Sequence, residues 1–274
     1  MVLGFGIGSA LMAAMILAIY PSYSEALEDF EIPPAMQAFI GDVDIASAAG
    51  FITAEFFSWI PILLVVYAII QGTGALAGEE SSGTLDLLLA QPISRMRLFL
   101  EKAVSILVGT VLIIALILPG WAIVYGSVEI DVSLERLIVA TIAMIPLILA
   151  FAGLALLAAS VLSTRRDAAS AMAAFAVVSF FLNTLGQASD VLDLLRPLSL
   201  FYHFHSDQVV TSGADAVGTT ILLGTAIVGT CLAALMFQRR DIGVAGGAWT
   251  KQLWDALSSV GRRNDPDASP EEAG

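Results

Sequence analysis

The chain has 274 residues, of which 58% are hydrophobic and only 14% are charged, and its formal net charge is −13. A soluble domain is ordinarily about 45–50% apolar and about 25% charged, so this composition excludes a soluble globular protein. The single cysteine excludes an internal disulfide and a cysteine-based metal site, and the two histidines give metal catalysis almost no support.

Six long apolar runs organise the chain. A helix rises 1.5 Å per residue, so about 20 apolar residues cross a hydrocarbon core of about 30 Å. We therefore predict an all-α, polytopic membrane protein with about six transmembrane helices. Pro119 and Pro146 fall inside two of the runs and are expected to kink those helices. The predicted spans cover roughly residues 2–20, 55–77, 103–126, 137–162, 170–187 and 216–237.

The first run begins at Val2 and has the position of a signal peptide. However, no basic region precedes it, and no small-residue cleavage site follows it before Pro21, so we predict a retained span. Residues 21–54 then contain acidic but no basic side chains. This is typical of a solvated outer loop, and a binding surface for a cationic solute is the alternative. A short helix is expected to begin at Pro34.

Lysine and arginine residues predict the orientation of the spans, because cytoplasmic loops carry the excess of these residues. Ten of the twelve fall on one side, and only Arg136 and Arg196 fall on the other. We therefore expect both termini to be cytoplasmic. The ten residues on the cytoplasmic side are Arg95, Arg97, Lys102, Arg165, Arg166, Arg239, Arg240, Lys251, Arg262 and Arg263.

Beyond the sixth span, apolar side chains recur at near-helical spacing. This predicts an amphipathic helix at the cytoplasmic interface of the bilayer, followed by a polar, disordered end over residues 264–274. We therefore divide the chain into a membrane domain, residues 1–242, and a cytoplasmic tail, residues 243–274. The recurring apolar positions are Trp249, Leu253, Leu257 and Val260.

The sequence lacks the motifs of several protein classes that would work without an ATPase partner. An ion-coupled or channel-like transporter ordinarily carries ionisable side chains near the bilayer midplane, but no predicted span has one at its centre. A P-loop needs G-x-x-x-x-G-K-[ST], and the only lysines, Lys102 and Lys251, do not stand in such a motif. A CAAX-type intramembrane hydrolase would use paired glutamates followed by arginine. Here Glu79 and Glu80 are followed by Thr84 at that position, and both histidines are predicted to lie outside the membrane.

The connection between the second and third spans, residues 78–95, is the most informative stretch. Ser81 and Ser82 can cap a helix start, and residues 84–90 then predict a short apolar helix that ends before Pro92. A short apolar helix on the cytoplasmic side is costly unless it lies on the bilayer or fits a groove in a partner protein. Both placements are compatible with these residues alone.

This stretch resembles the signature of ABC-2 type permeases, Glu-x-x-x-Gly-Thr-Leu-x-x-Leu-Leu-x-x-Pro-[Ile/Val]-Ser-Arg. The run Phe-Gln-Arg-Arg-Asp-Ile at 237–242 is similar to the end of the last span in that family, and the six-span plan also fits. The residues that match the signature are Glu80, Gly83, Thr84, Leu85, Leu88, Leu89, Pro92, Ile93, Ser94 and Arg95.

The resemblance implies the permease subunit of an ATP-driven exporter in a prokaryotic inner membrane, with no enzymatic activity of its own. Two such chains, identical or paralogous, would form a twelve-helix pathway over two ABC ATP-binding subunits. Those subunits would hold ATP and magnesium, while this chain would carry no cofactor and bind no nucleic acid. Arg95 is equally interpretable as a topology anchor. The residues implied to couple the chain to the ATPase are Glu79, Glu80, Gly83, Thr84, Leu85, Leu88, Leu89, Pro92 and Arg95.

Two further features bear on this resemblance. Members of the family ordinarily begin with a basic, amphipathic elbow helix, which is missing ahead of Val2. We hypothesise that the start codon is assigned too late, and N-terminal sequencing that finds Met1 as the native start would contradict this. Two glycine pairs have the small-xxx-small spacing of closely packed membrane helices, which fits contacts between chains or within one. The pairs are Gly4 with Gly8 and Gly74 with Gly78.

Overall fold

The fold is a bundle of membrane-spanning helices. The computed structural model describes residues 1–27, 47–81, 95–162, 164–186 and 193–239. All regular secondary structure in these stretches is helical, and six segments are long and apolar enough to cross a membrane. The predicted all-α, polytopic architecture is confirmed. The spans, numbered 1 to 6 below, are Val2–Glu25, Ala48–Ala75, Arg95–Tyr125, Leu134–Val161, Arg165–Gly186 and Ala216–Arg239.

The chain forms two compact units, Met1–Gln238 and Arg239–Gly274, and Arg239 is the only described residue of the second. The spans therefore belong to the first unit, apart from that last residue. Three predicted elements lie outside the described residues: the short helix at Pro34, the coupling helix between spans 2 and 3, and the amphipathic helix over residues 249–260.

The helices extend beyond the apolar runs that predicted them. The helix of span 1, Val2–Leu27, continues past Pro21, and span 2 begins at Ala48, so the outer loop predicted over residues 21–54 is helical at both ends. Span 3 is a single helix, Arg95–Tyr125, which begins well before the predicted residue 103. Hydropathy marks the part of a helix that lies in hydrocarbon, whereas backbone hydrogen bonding continues into the headgroup region.

Two spans are interrupted just ahead of a proline, which has no backbone N–H to donate to the residue four positions earlier. Span 2 consists of a short α-helix, Ala48–Ile52, a π-helical turn, Thr53–Phe57, and a long α-helix, Ile60–Ser81, whose second residue is Pro61. Span 4 consists of two helices, Leu134–Ile142 and Met144–Val161, and Pro146 follows their junction closely. Pro119 lies within the uninterrupted helix of span 3.

Spans 2 and 4 form the centre of the bundle. In the most apolar part of each, 61% of the residues are buried, compared with 17% in span 5. The two helices approach closely because Gly72 has no side chain, and a Cβ at that position would lie 2.5 Å from the Cβ of Ala155. Small residues let membrane helices approach in this way, so span 2 has little freedom to shift along span 4.

Spans 1 and 3 approach each other at Gly120, where a Cβ would overlap the backbone carbonyl of Ala10. Gly4 and Gly8, the pair predicted from its spacing, behave differently. A Cβ at either position would meet no atom of the described residues within 4 Å, so this pair makes no close helix contact within the described part of the chain. The spacing of glycines alone does not say which face of a helix meets its neighbour.

An aromatic cluster joins spans 2, 3 and 4. The ring of Trp121 packs edge-on against Phe56 at 4.7 Å and lies 6.4 Å from Phe57, measured between ring centroids. Its indole N–H donates to the Thr141 hydroxyl at 3.0 Å, and that hydroxyl donates to the Leu137 carbonyl at 2.7 Å. The cluster is fully buried, and its two polar groups, the indole N–H and the Thr141 hydroxyl, each donate to an acceptor.

The last part of the described chain contains span 5, a connection with short helical elements, and span 6. Span 5 is the helix Arg165–Gly186, and span 6 is the helix Ala216–Arg239. Two 3₁₀ turns, Arg196–Leu198 and Tyr202–Phe204, and a one-turn helix, Val209–Ser212, occupy the connection between them. We call residues 193–213 the outer connection, after the side of the membrane on which the sequence predicts it.

Candidate coupling site

The predicted coupling segment is bounded by the ends of two packed helices. Glu79 and Glu80 lie in the last turn of the span 2 helix, which ends at Ser81, and Arg95 is the first residue of the span 3 helix. Arg95 is half-buried and has an interaction partner. The remaining predicted coupling residues lie outside the described residues: Gly83, Thr84, Leu85, Leu88, Leu89 and Pro92.

The end of span 2 is held against its neighbours shortly before these glutamates. Gly74 lies under the guanidinium group of Arg165, and a Cβ at Gly74 would be 3.2 Å from an Nη atom of that arginine. The Thr73 hydroxyl is buried and donates to the Ile69 carbonyl at 2.7 Å. Arg165 begins span 5. The turn between spans 4 and 5 and the start of the coupling segment therefore lie at the same end of the bundle.

The first turns of span 3 present charge on one side and bury apolar groups on the other. Arg97 donates to Glu101 at 3.0 Å across one helical turn, and both side chains are largely exposed. An exposed pair of this kind contributes only about 0.3–0.5 kcal/mol to helix stability. By contrast, Leu98 and Phe99 are buried although they lie close to the end of the helix. A neighbouring element must therefore cover them.

The end of span 6 lies beside Phe99. The Phe99 and Phe237 rings lie 6.1 Å apart, measured between centroids, with an angle of 36° between their planes. Next to them, the Gln238 amide lies 3.7 Å from the Met96 sulfur. The run at 237–242, which supported the family resemblance, thus begins beside the residues that follow the coupling segment. Sequence reasoning missed Phe99, although a lone aromatic residue among the charged residues 95–102 was a visible signal.

At the other end of the bundle, the outer connection packs into spans 4 and 5. The Phe201 ring lies 5.4 Å from Phe151 and 5.8 Å from Phe180 between centroids. Ser179 contacts Ser199 and lies seven residues before Gly186, the end of span 5. At 1.5 Å per residue this places the contact about 10 Å inside the end of the helix. No pattern in the sequence indicated that this connection enters the bundle.

Two serines hydrogen-bond backbone groups where the outer connection packs against span 5. The Ser199 hydroxyl donates to the Ser179 carbonyl at 2.6 Å, and the Ser179 hydroxyl accepts from the Leu200 N–H at 3.0 Å. Irregular backbone at membrane depth is tolerated only where protein or water satisfies its polar groups. The serine pair supplies those partners and so allows the connection to leave the surface.

Arg196, which was predicted as one of the two outer cations, belongs to this packed connection. Its guanidinium pairs with Asp193 at 3.2 Å and lies over the ring of Tyr202, 5.1 Å from the centroid. The aliphatic part of its side chain occupies the space above Gly186. Arg196 is thus a structural residue of the connection, in addition to its predicted place as an outer charge.

Comparison with known proteins identifies a family. Among proteins of curated function, none matches this sequence significantly. The family model for ABC-2 family transporter proteins matches residues 3–242. The match covers the six spans and includes both the stretch 79–95 and the run 237–242. The chain therefore belongs to the ABC-2 family of transporter proteins and is a multi-pass membrane permease.

Proposed function

We propose that the chain is the permease subunit of an ATP-driven ABC exporter and that residues 79–95 dock on a separate ATP-binding subunit. The family match over residues 3–242 carries this proposal. The described flanks support the docking role, because the segment joins the packed end of span 2 directly to the buried start of span 3. A force applied to such a segment reaches two helices of the bundle at once.

The energy source lies in the partner. Neither lysine of the chain stands in a P-loop, so ATP and magnesium would be held by the ATPase, and this chain would have no catalytic residue. A second permease chain, identical or paralogous, would complete the transport pathway. The bilayer is the third partner. ATP can drive transport only if the two states of the permease differ in their contacts with the ATPase.

The orientation follows from the same docking role. The proposed location is a prokaryotic inner membrane with both termini in the cytoplasm. The close contact between Arg165 and Gly74 supports this, because it groups one of the predicted cytoplasmic arginines with the start of the coupling segment. Cytoplasmic placement of both is what the positive-inside rule and the docking role each require.

The test is a pull-down of the tagged chain from native membranes in mild detergent, followed by mass spectrometry. A stoichiometric ATP-binding-cassette protein is expected with the parent chain. It should be lost with Gly83→Trp, which places a large side chain in the docking segment. Gly126→Trp is the matched control, since a Cβ at Gly126 meets nothing within 4 Å and this residue follows the opposite end of span 3.

Two results would contradict the proposal. If the Gly83→Trp variant retained the ATPase as well as the Gly126→Trp control does, the docking role of the segment would be wrong. If the parent chain purified alone and moved solute across liposome membranes without ATP, the chain would be an ion-coupled or channel-like transporter.

A further inference from the structure

Span 6 contacts the rest of the bundle at three levels. Near its end, Phe237 is 3% exposed and covers Phe99, which is 1% exposed. The neighbours of Phe99 that point elsewhere, Leu100 and Glu101, are both exposed. Phe99 and its neighbour Leu98 are therefore buried on one side of the helix, and the Phe237 ring lies on the side of Phe99. Aromatic pairs of this kind hold a defined relative geometry, because their rings interact most favourably in tilted and edge-on arrangements.

At its middle, span 6 meets span 4 backbone to backbone. A Cβ at Gly153 would lie 2.6 Å from the Ala226 carbonyl oxygen, and a Cβ at Gly229 would lie 2.9 Å from the Gly153 carbonyl carbon. The Thr230 hydroxyl lies beside this crossing, 3.1 Å from the position of a Cβ at Gly153. Close-packed contacts have discrete arrangements and do not deform continuously, so we expect span 6 to move as a unit when its end is displaced.

At its start, span 6 meets the outer connection. A Cβ at Gly218 would overlap the backbone carbonyl of His203, so the two backbones are in contact. The Asp215 carboxylate accepts a hydrogen bond from the Gly218 N–H and so fixes the first turn of the helix. The outer connection is in turn held to span 5 by Ser179 and Ser199. A displacement of span 6 therefore reaches the outer connection directly.

We propose that span 6 is a relay that transmits movement of the coupling segment to the outer connection, with the Phe99–Phe237 contact as its input and the Gly218–His203 contact as its output. The relay rests on the proposed function, because ATP binding must move the start of span 3. Phe99 and Phe237 are positioning residues: they touch neither nucleotide nor cargo, and they act through the helices that they join. Contact between these elements makes a continuous physical path across the bundle.

The experiment uses the complete permease–ATPase complex in lipid nanodiscs, where both faces are accessible. Cys231 is exposed and is first replaced by serine. A reporter cysteine is then introduced as Ser206→Cys, a half-buried position in the outer connection. Its rate of labelling by a hydrophilic maleimide is measured without nucleotide and after trapping with ATP, magnesium and vanadate. The labelling rate should differ between these two states.

In the Phe237→Ala variant the difference between the two labelling rates should be lost, while the ATPase still binds and still hydrolyses ATP. Phe99→Ala should have the same effect, and the double variant should add nothing further, because either change removes the same contact. Phe237→Leu should restore part of the response by refilling the space. Phe181→Ala is the matched control, since it removes the same ring from an exposed position and should leave the response intact.

A response that persists unchanged in Phe237→Ala would overturn the relay. So would a parent complex that binds ATP but labels Ser206→Cys at the same rate in both states. A chain that recruits no ATPase would instead overturn the proposed function, and the relay would fall with it. A variant that merely misfolds is recognised by loss of the bound ATPase. In that case Phe237→Leu is used instead: a labelling difference smaller than that of the parent supports the relay, and one equal to that of the parent overturns it.

Discussion

Single glycines set how closely the helices of this bundle approach. At Gly120 the absent Cβ would occupy the position of the Ala10 carbonyl, whereas at Gly8 the corresponding space is open. A backbone carbonyl in a helix cannot rotate away as a flexible side chain can. The two glycines of neighbouring spans therefore look alike in sequence but tolerate very different substitutions.

We expect Gly120→Leu to lower the stability of the chain and Gly8→Leu to leave it nearly unchanged. Overpacking a tight contact typically costs about 1–3 kcal/mol, because helices or side chains must shift to make room. The measurement is the midpoint of thermal unfolding in detergent for the parent and both variants. Equal midpoints for the two variants would mean that spans 1 and 3 are not in contact at this position.

The hydrogen bond between Trp121 and Thr141 is a second feature of single-residue scale. Replacing Thr141 by valine keeps the volume but removes the acceptor of the buried indole N–H, and replacing it by serine keeps the acceptor. We expect Thr141→Val to destabilise by about 1 kcal/mol, since polar contacts between membrane helices average about 0.6 kcal/mol and an unpaired buried donor adds to the loss. Thr141→Ser should stay closer to the parent in the same unfolding assay. A valine variant as stable as the serine variant would show that the bond contributes nothing.

Among the elements, the outer connection depends most clearly on a few polar contacts. Its backbone enters the bundle at Leu200, whose N–H is satisfied by the Ser179 hydroxyl. We expect Ser179→Ala to speed hydrogen exchange of the Leu200 amide about tenfold, which corresponds to about 1.4 kcal/mol. Ser170→Ala is the control, because Ser170 lies on the same helix with an exposed side chain. Equal exchange rates in both variants would show that Ser179 does not hold the connection.

The elements also show what could be predicted from the sequence. Apolar run length identified six spans, because a span must be apolar wherever it meets lipid. It could not identify the entry of Phe201 and Leu200 into the bundle, because two serines in separate runs carry no visible pairing signal. A kink was expected at Pro119 and at Pro146: span 4 is interrupted just ahead of Pro146, whereas the helix of span 3 continues through Pro119. Pro61 offered the same signal but was overlooked.

For the candidate site, the sequence motif could be predicted but its packing partners could not. The stretch 79–95 was found from its motif, and the family match includes it. Its packing partners were not found, because the contact between Phe99 and Phe237 joins residues at opposite ends of the sequence. Periodicity reports which face of a helix is apolar but not which other helix covers it. Such contacts follow only from the arrangement of all six spans.

At the scale of the whole molecule, burial differs systematically between spans. Spans 2 and 4 are the most buried, whereas spans 1, 5 and 6 are mostly open to whatever surrounds the chain. Lipid covers part of that open surface, and the proposed second permease chain would cover another part. The central pair is also the pair whose near ends carry the coupling segment and the turn before Arg165. The two most buried spans thus both extend to the end of the bundle where the proposed ATPase would dock.

The orientation of the whole chain gives the last prediction. Gly126 follows the end of span 3, and Thr164 lies at the other end of span 4, so the two residues mark opposite faces of the bundle. In a Cys231→Ser background, a membrane-impermeant maleimide should label Gly126→Cys in intact cells and Thr164→Cys only after the membrane is permeabilised. The background chain without a cysteine is the control. The physical reason is that the cationic residues on the Thr164 face resist translocation across the membrane. The reverse pattern would place the coupling segment outside the cell, where no ATP-driven subunit could reach it, and would contradict the orientation and the docking role together.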